Sequence, residues 1–384
     1  MDPVKRGIEL RKTLIRRDGK VLCVNFKHTV QKNDFTKGYF KDIATKTFPY
    51  RSKVNVKEFD SELRRQKGLA PFNFKDSKAV LAALKSEFDF PHWFLHKAGD
   101  KLENILPYDM PLMYQIKGCN YHNGDEVGGC VYCFVDNKSN SGDRTDGVYL
   151  GVKNIVDTLK IMYEKRGTRV IRTSGGEPTL VLDHLLQLYR YMRKRGINPI
   201  LAQFDTNLST GRLIEKFEKA GIYEKHILEK IAEFDPKVLV AFKGTSDASI
   251  KQNVQADCDV ETQIYSLRKL VKAGIDVYPY IYNPDPNTLE SFVDKLMENF
   301  ENILLRLQIM PLKLYTPTKQ RISLLAKEKG IEPEKLLADY QTEWKSNHEK
   351  SLELLDKKYQ ECAGVHIGEV PRPYTRKIEL KNAA

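Results

Sequence analysis

Three cysteines share one glycine-rich stretch of this chain: Cys119, Cys130 and Cys133, in the run K-G-C-N-Y-H-N-G-D-E-V-G-G-C-V-Y-C-F. The chain has six cysteines, and the other three stand alone. Thiolates gathered on one loop serve as metal or iron–sulfur ligands far more readily than as packing groups. The glycines at 118, 124, 128 and 129 and the acidic Asp125 and Glu126 do not read as core. Two arrangements fit the spacing. In one, the cysteines hold three irons of a 4Fe-4S cluster and leave the fourth iron open. In the other, His122 completes a closed Cys3His zinc site, C-x2-H-x7-C-x2-C. The loop alone does not choose between them.

Regular elements must hold such a loop. From about residue 108, strand and helix patterns alternate six times. Strands are expected over 112–116, 169–173, 199–205, 237–243, 276–282 and 302–309. Helices are expected over 152–164, 181–195, 211–220, 261–273, 287–299 and 318–329, with an extra helical piece over 224–234. Short apolar strands between amphipathic helices predict an α/β fold with a parallel sheet. Six units are too few for a closed eight-fold barrel and suit a partial (β/α)6 TIM-like barrel, in which ligands collect at the C-terminal strand ends. The unusual residues follow those ends. They are the cysteine loop, then Ser174-Gly175-Gly176-Glu177-Pro178, Asp205-Thr206-Asn207, Lys243-Gly244-Thr245-Ser246 and Tyr280-Ile281-Tyr282-Asn283. Taken singly each is ordinary turn chemistry. Asp205-Thr206-Asn207 also reads as the cap of the helix at 211, and Tyr280 and Tyr282, two apart on one strand face, as interior packing.

Taken together, these residues resemble the radical S-adenosylmethionine (SAM) superfamily over roughly residues 110–315. The resemblance implies that Cys119, Cys130 and Cys133 hold one 4Fe-4S cluster whose open iron is chelated by the amino and carboxylate groups of SAM. Tyr132 matches the aromatic residue that usually precedes the third cysteine. Gly175, Gly176 and Glu177 match the Gly-Gly-Glu motif that binds the methionine ammonium. Asp205, Asn207 and Lys243 are similar to SAM-contacting residues of glycyl-radical-enzyme activases, and Tyr280 and Tyr282 are placed near the adenosine or the reacting carbon. The cysteine spacing departs from the usual C-x3-C-x2-C, with ten residues in the first gap. That leaves the subfamily unassigned and makes His122, Asp125 and Glu126 candidates to meet substrate. The implied chemistry is oxygen-sensitive. SAM is cleaved reductively to methionine and a 5′-deoxyadenosyl radical, which takes hydrogen from a substrate. Electrons come from a reductant protein such as ferredoxin or flavodoxin.

Composition bounds the rest. With 384 residues, 41% apolar and 30% charged, the chain has room for two or three domains. We expect a basic mixed α+β N-terminal domain over 1–107, the partial barrel over 108–316 and a helical C-terminal extension over 317–384. The N-terminal part is expected to contain a strand over 20–28 and a helix over 77–88. The extension carries one long amphipathic helix over 332–362. Formal net charge is +12, and residues 1–57 hold 15 lysines and arginines against 5 acidic residues. A local field of this kind attracts an anionic macromolecule, RNA or an acidic protein surface, and suggests such a substrate. No run reaches the length of a membrane span and no signal core is evident, so we expect a cytoplasmic protein with no membrane partner. Three alternatives remain at this stage: a Cys3His zinc-containing nucleic-acid-binding protein without catalysis, a glycyl-radical-activase-like protein activator, and a degenerate radical SAM scaffold that binds a cluster and SAM without turnover.

Overall fold

The computed structural model describes residues 2–30, 40–42, 49–53, 111–124, 127–197, 201–367 and 376–381. The helix expected over 77–88 lies outside them, as do Asp125 and Glu126.

The first elements are α1 (Pro3–Leu14), β1 (Val21–Val24), β2 (Phe40–Asp42), β3 (Arg51–Lys53) and β4 (Leu112–Ile116). After the cysteine loop come α2 (Asn137–Asn140), β5 (Gly147–Leu150), α3 (Val152–Arg166), β6 (Val170–Gly175), α4 (Leu182–Lys194), β7 (Leu201–Thr206), α5 (Gly211–Lys219) and α6 (Ile227–Ala232). They are followed by β8 (Lys237–Phe242), α7 (Asp247–Val254), α8 (Val260–Lys272), β9 (Asp276–Tyr282), α9 (Pro286–Asn299), β10 (Phe300–Glu301) and β11 (Gln308–Met310). The chain closes with α10 (Thr316–Lys329), α11 (Pro333–Ala363) and β12 (Glu379–Leu380).

Six strands, β4, β6, β7, β8, β9 and β11, pair in parallel in that order. This is the partial barrel, a mixed α/β fold with a largely parallel sheet. Its composition explains its form. In β8, Val238, Val240 and Phe242 are wholly buried, each worth ~1.5–3 kcal/mol on burial. The alternate residues, Leu239 and Ala241, are only partly buried and line a cavity. At the opposite, N-terminal strand ends, Asp276 takes Lys237 Nζ at 2.8 Å and Arg306 Nη1 at 2.6 Å. The Arg306 side chain also donates to the carbonyl of Arg376, tying down the tail whose β12 pairs with β10.

The first thirty residues join this sheet rather than standing apart. β1 lies antiparallel between β4 and β5, with Cys23 opposite Ile116. Asp2 caps α1 by accepting from the Val4 amide. The helix buries Gly7, Leu10 and Leu14, and Arg11 pairs with Asp183 at 2.6 Å. Part of the basic N-terminus is therefore spent on docking.

Three sequence expectations need correction. The strand over 20–28 stops at Val24, because Phe26–His28 turns as a 3-10 helix capped by Asn25. The sixth strand, expected over 302–309, is only Gln308–Met310. Asn302 takes a left-handed φ of 61°, and Ile303–Leu305 then form a 3-10 turn. Asp205-Thr206-Asn207 does not cap α5, whose N-cap is Thr210. Helices α1, α2 and α7 were not expected from the sequence; Ser246 opens α7 by accepting from the Ser249 amide.

Candidate active site

The C-terminal strand ends open onto one cavity with both polar and apolar lining residues. Eleven of the twelve residues that the sequence assigned to the cluster or to SAM line it: Cys119, Cys130, Cys133, Gly175, Gly176, Glu177, Asp205, Asn207, Lys243, Tyr280 and Tyr282. The twelfth, Tyr132, stands behind, with its ring stacked on Tyr282 at 5.7 Å and 10°.

The cysteine loop is built into the fold. Asn120, Tyr121 and His122 are buried. The Cys119 amide donates to Asn140 O at 2.8 Å, and the Val131 amide to Asn253 O at 2.9 Å. From α1, Arg6 donates to the carbonyls of His122 and Ser141. The thiols accept N–H donors, as thiolate ligands do: Asn207 Nδ2 to Cys119 at 3.5 Å, and the Val135 amide and Asn140 Nδ2 to Cys133, each at 3.4 Å. Burial pushes the thiols of Cys119 and Cys130 up, while Lys243 and Arg321 pull Cys130 back. Thiolates here need a strong local cation, which a metal centre supplies.

His122 does not join them. It lies outside the cavity lining, its Nδ1 accepts from the Gly124 amide at 3.1 Å, and burial pushes its imidazole down to about 4. Among the described residues no three ligand side chains converge as one ion requires. The three thiols border the cavity, and His122 does not.

The Gly-Gly-Glu turn shows why small residues stand there. A Cβ on Gly176 would lie 1.7 Å from Gly118 O, the oxygen that accepts from the Glu177 amide at 2.8 Å. Gly175 adopts a φ of 98°, open to glycine at no steric cost. Glu177 is wholly buried. Its carboxylate accepts from the Asn207 amide at 2.7 Å, the Thr179 amide at 3.2 Å and the Thr179 hydroxyl, which joins the ends of β6 and β7. Burial pushes its pKa up, and no cation pairs with it among the described residues.

Lys243 is its electrostatic opposite. Its ammonium lies over the rings of Tyr282, at 4.8 Å, and Tyr132, at 5.8 Å, with no carboxylate beside it among the described residues. Burial works against that charge, but Cys130, Tyr282, Cys133 and Cys119 hold its pKa above the ordinary value. The cavity therefore presents an uncompensated carboxylate and an uncompensated ammonium, the complement of an amino-acid zwitterion.

Residues 114–296 match the family model described as the radical SAM superfamily. This stretch is a radical SAM domain. No curated protein matches it. Among solved structures, the chain is similar to the cobalamin-dependent radical SAM enzyme OxsB with aqua-cobalamin bound, at TM-score 0.39 and 13% identity, covering 57% of this chain and 36% of OxsB. It is also similar to SuiB of Streptococcus suis bound to SAM, at TM-score 0.35 and 16% identity, covering 62% of this chain and 47% of SuiB. A third is a spore photoproduct lyase variant with bound AdoMet and dinucleoside spore photoproduct, at TM-score 0.37 and 13% identity, covering 70% and 77% of the two chains. The chain thus spans about a third of OxsB and half of SuiB.

Sequence reasoning missed several participants. Asp205 gives its carboxylate to Arg172, with Nη2 to Oδ2 at 2.8 Å, so the pair lines the cavity as one unit. An arginine in an otherwise apolar parallel strand was the available signal. Phe134 and Tyr315, both exposed, meet at 6.0 Å, and Phe134 reaches the cavity lining. Helix α10 also reaches the site: Thr318 and Arg321 donate to Cys133 O at 3.1 and 2.8 Å. A polar residue on an amphipathic helix carries no sequence mark of such a role.

Proposed function

We propose that Cys119, Cys130 and Cys133 carry a 4Fe-4S cluster and that the adjoining cavity binds SAM, so that the chain is a radical-generating enzyme. The observation that carries this reading is that Glu177 and Lys243, each without an opposite charge beside it among the described residues, line one cavity with the three thiols. The methionyl ammonium would compensate Glu177 and the carboxylate Lys243, each a charge-assisted contact in a site removed from water. When bound, cluster and SAM supply reductive cleavage to methionine and a 5′-deoxyadenosyl radical that abstracts hydrogen. The chain's own groups position and shield. Gly175 and Gly176 admit close backbone approach, the Tyr132–Tyr282 stack forms a rigid wall, and the Arg172–Asp205 pair gives the cavity a polar boundary.

For substrate we propose an anionic macromolecule, RNA or protein, drawn by the basic N-terminus, with a ferredoxin- or flavodoxin-like reductant and a cytoplasmic setting. Lys5, Lys12, Arg17 and Lys27 remain exposed after docking has taken Arg6 and Arg11. The test is anaerobic reconstitution with iron and sulfide, followed by reduction with SAM and assay for 5′-deoxyadenosine. We expect about four irons per chain and product formation, both lost in Cys130→Ala. Tight zinc with no SAM cleavage would overturn the reading.

A further inference from the structure

Arg321 is 1% exposed and among the largest wholly buried side chains. Its guanidinium donates to Cys133 O at 2.8 Å, to Val135 O at 3.1 Å and, through both Nε (3.0 Å) and Nη2, to Asn137 Oδ1. Every one of these acceptors is neutral, and no carboxylate pairs with Arg321 among the described residues. A buried charge left unpaired costs several kcal/mol, and carbonyl dipoles offset only part of that. What the arginine grips is the turn of the third cysteine. Val135, held by its carbonyl, donates its amide to Cys133 Sγ. Three thiolates and a 4Fe-4S core together carry net negative charge, which grows by one on reduction.

We propose that Arg321 is the built-in counter-charge of the cluster, a positioning residue on α10 that raises the cluster's reduction potential. This rests on the cluster reading above. Helix α10 lies beyond the matched residues 114–296, so the C-terminal extension completes the redox centre rather than merely covering the barrel. The cation favours the more negative, reduced state, and its fork fixes the geometry in which Cys133 Sγ receives its N–H donor.

The test is an anaerobic potential titration of the reconstituted full-length chain, followed by electron paramagnetic resonance of the reduced cluster. Wild type is compared with Arg321→Met, Arg321→Gln and Arg321→Lys. The neutral variants should lower the reduced-to-oxidised ratio at fixed solution potential about tenfold or more, which is 59 mV for one electron. Arg321→Lys, which keeps the charge, should stay near wild type. Loss of iron from both neutral variants, with retention at wild-type potential by Arg321→Lys, also supports a charge role. A neutral variant that keeps its cluster at unchanged potential overturns the proposal, and so does loss of iron from all three. If wild type itself takes up no cluster, the cluster reading fails and takes this inference with it; the wild-type iron count separates the two failures.

Discussion

Gly176 and Glu177 show how tightly two neighbouring residues can be committed. The atom a Gly176→Ala methyl would strike is a backbone oxygen, which cannot rotate away, and that oxygen holds the Glu177 amide. We expect Gly176→Ala to lower the melting temperature by several degrees and to abolish SAM binding, read by thermal melt and equilibrium dialysis without reductant; an unchanged binding isotherm would remove the close approach from the account. Glu177→Gln tests charge instead. It keeps the shape and exchanges one acceptor oxygen for an amide donor facing N–H groups. A hydrogen bond to a charged group is worth ~1.5–3 kcal/mol, so SAM affinity should fall roughly tenfold to a hundredfold. If affinity holds, the carboxylate serves only as the strut between β6 and β7.

At the scale of elements, α11 deserves the credit for the rear wall of the cavity. Trp344 packs edge-on to Tyr132 at 6.3 Å, behind the Tyr132–Tyr282 stack. Three residues on, Asn347 donates to Asn283, which exchanges amides with Asn253, whose Nδ2 donates to Lys243 O at 2.9 Å. The C-terminal helix thus reaches the strand-end lysine through buried asparagines, each satisfied by the next. Asn253→Ala would leave Lys243 O and Asn283 without that donor and should cost ~1–3 kcal/mol. Trp344→Ala should cost ~3–5 kcal/mol and free the Tyr132 ring. Urea denaturation measures both. Losses below ~0.5 kcal/mol would mean that α11 is docked from elsewhere.

The molecule as a whole should be acid-sensitive in a defined window. Burial pushes the His184 imidazole down to about 4, against an ordinary value of about 6.5. The unfolded chain therefore takes up a proton that the native state refuses. Stability is complete above about pH 6.5, falls as pH drops toward 4, and loses nothing further from this group below that. The amount at stake is ~3 kcal/mol. His184→Leu should flatten the dependence of the urea midpoint across that window; a slope equal to wild type would place the sensitivity elsewhere. The basic N-terminus calls for a similarly global test. Deleting it would remove β1 from between β4 and β5, so charge replacement is the informative change. Lys5→Glu, Lys12→Glu and Arg17→Glu together should leave 5′-deoxyadenosine formation intact and weaken RNA binding with a shallower salt dependence. Equal binding by the triple variant and wild type would dismiss an electrostatic role for these residues.

Local chemistry was legible before any coordinates. The clustered thiols, the Gly-Gly-Glu run, the Asp-Thr-Asn run and Lys243 each announced themselves, because strand ends are where polar and glycine residues interrupt an apolar period, and the alternation of periods placed the parallel strands. What sequence could not carry is pairing across distance. It offered His122 as a fourth ligand, and the fold leaves that residue out of the cavity the thiols line. It left Asp205 without its Arg172, and Lys243 without the faces of Tyr132 and Tyr282. Arg321, 188 positions beyond Cys133, read as one more charge on an amphipathic helix. A side chain's type and local period are written in its neighbours along the chain, whereas its electrostatic partners are chosen by which helices and strands come to share a buried volume. The tertiary structure alone makes that choice.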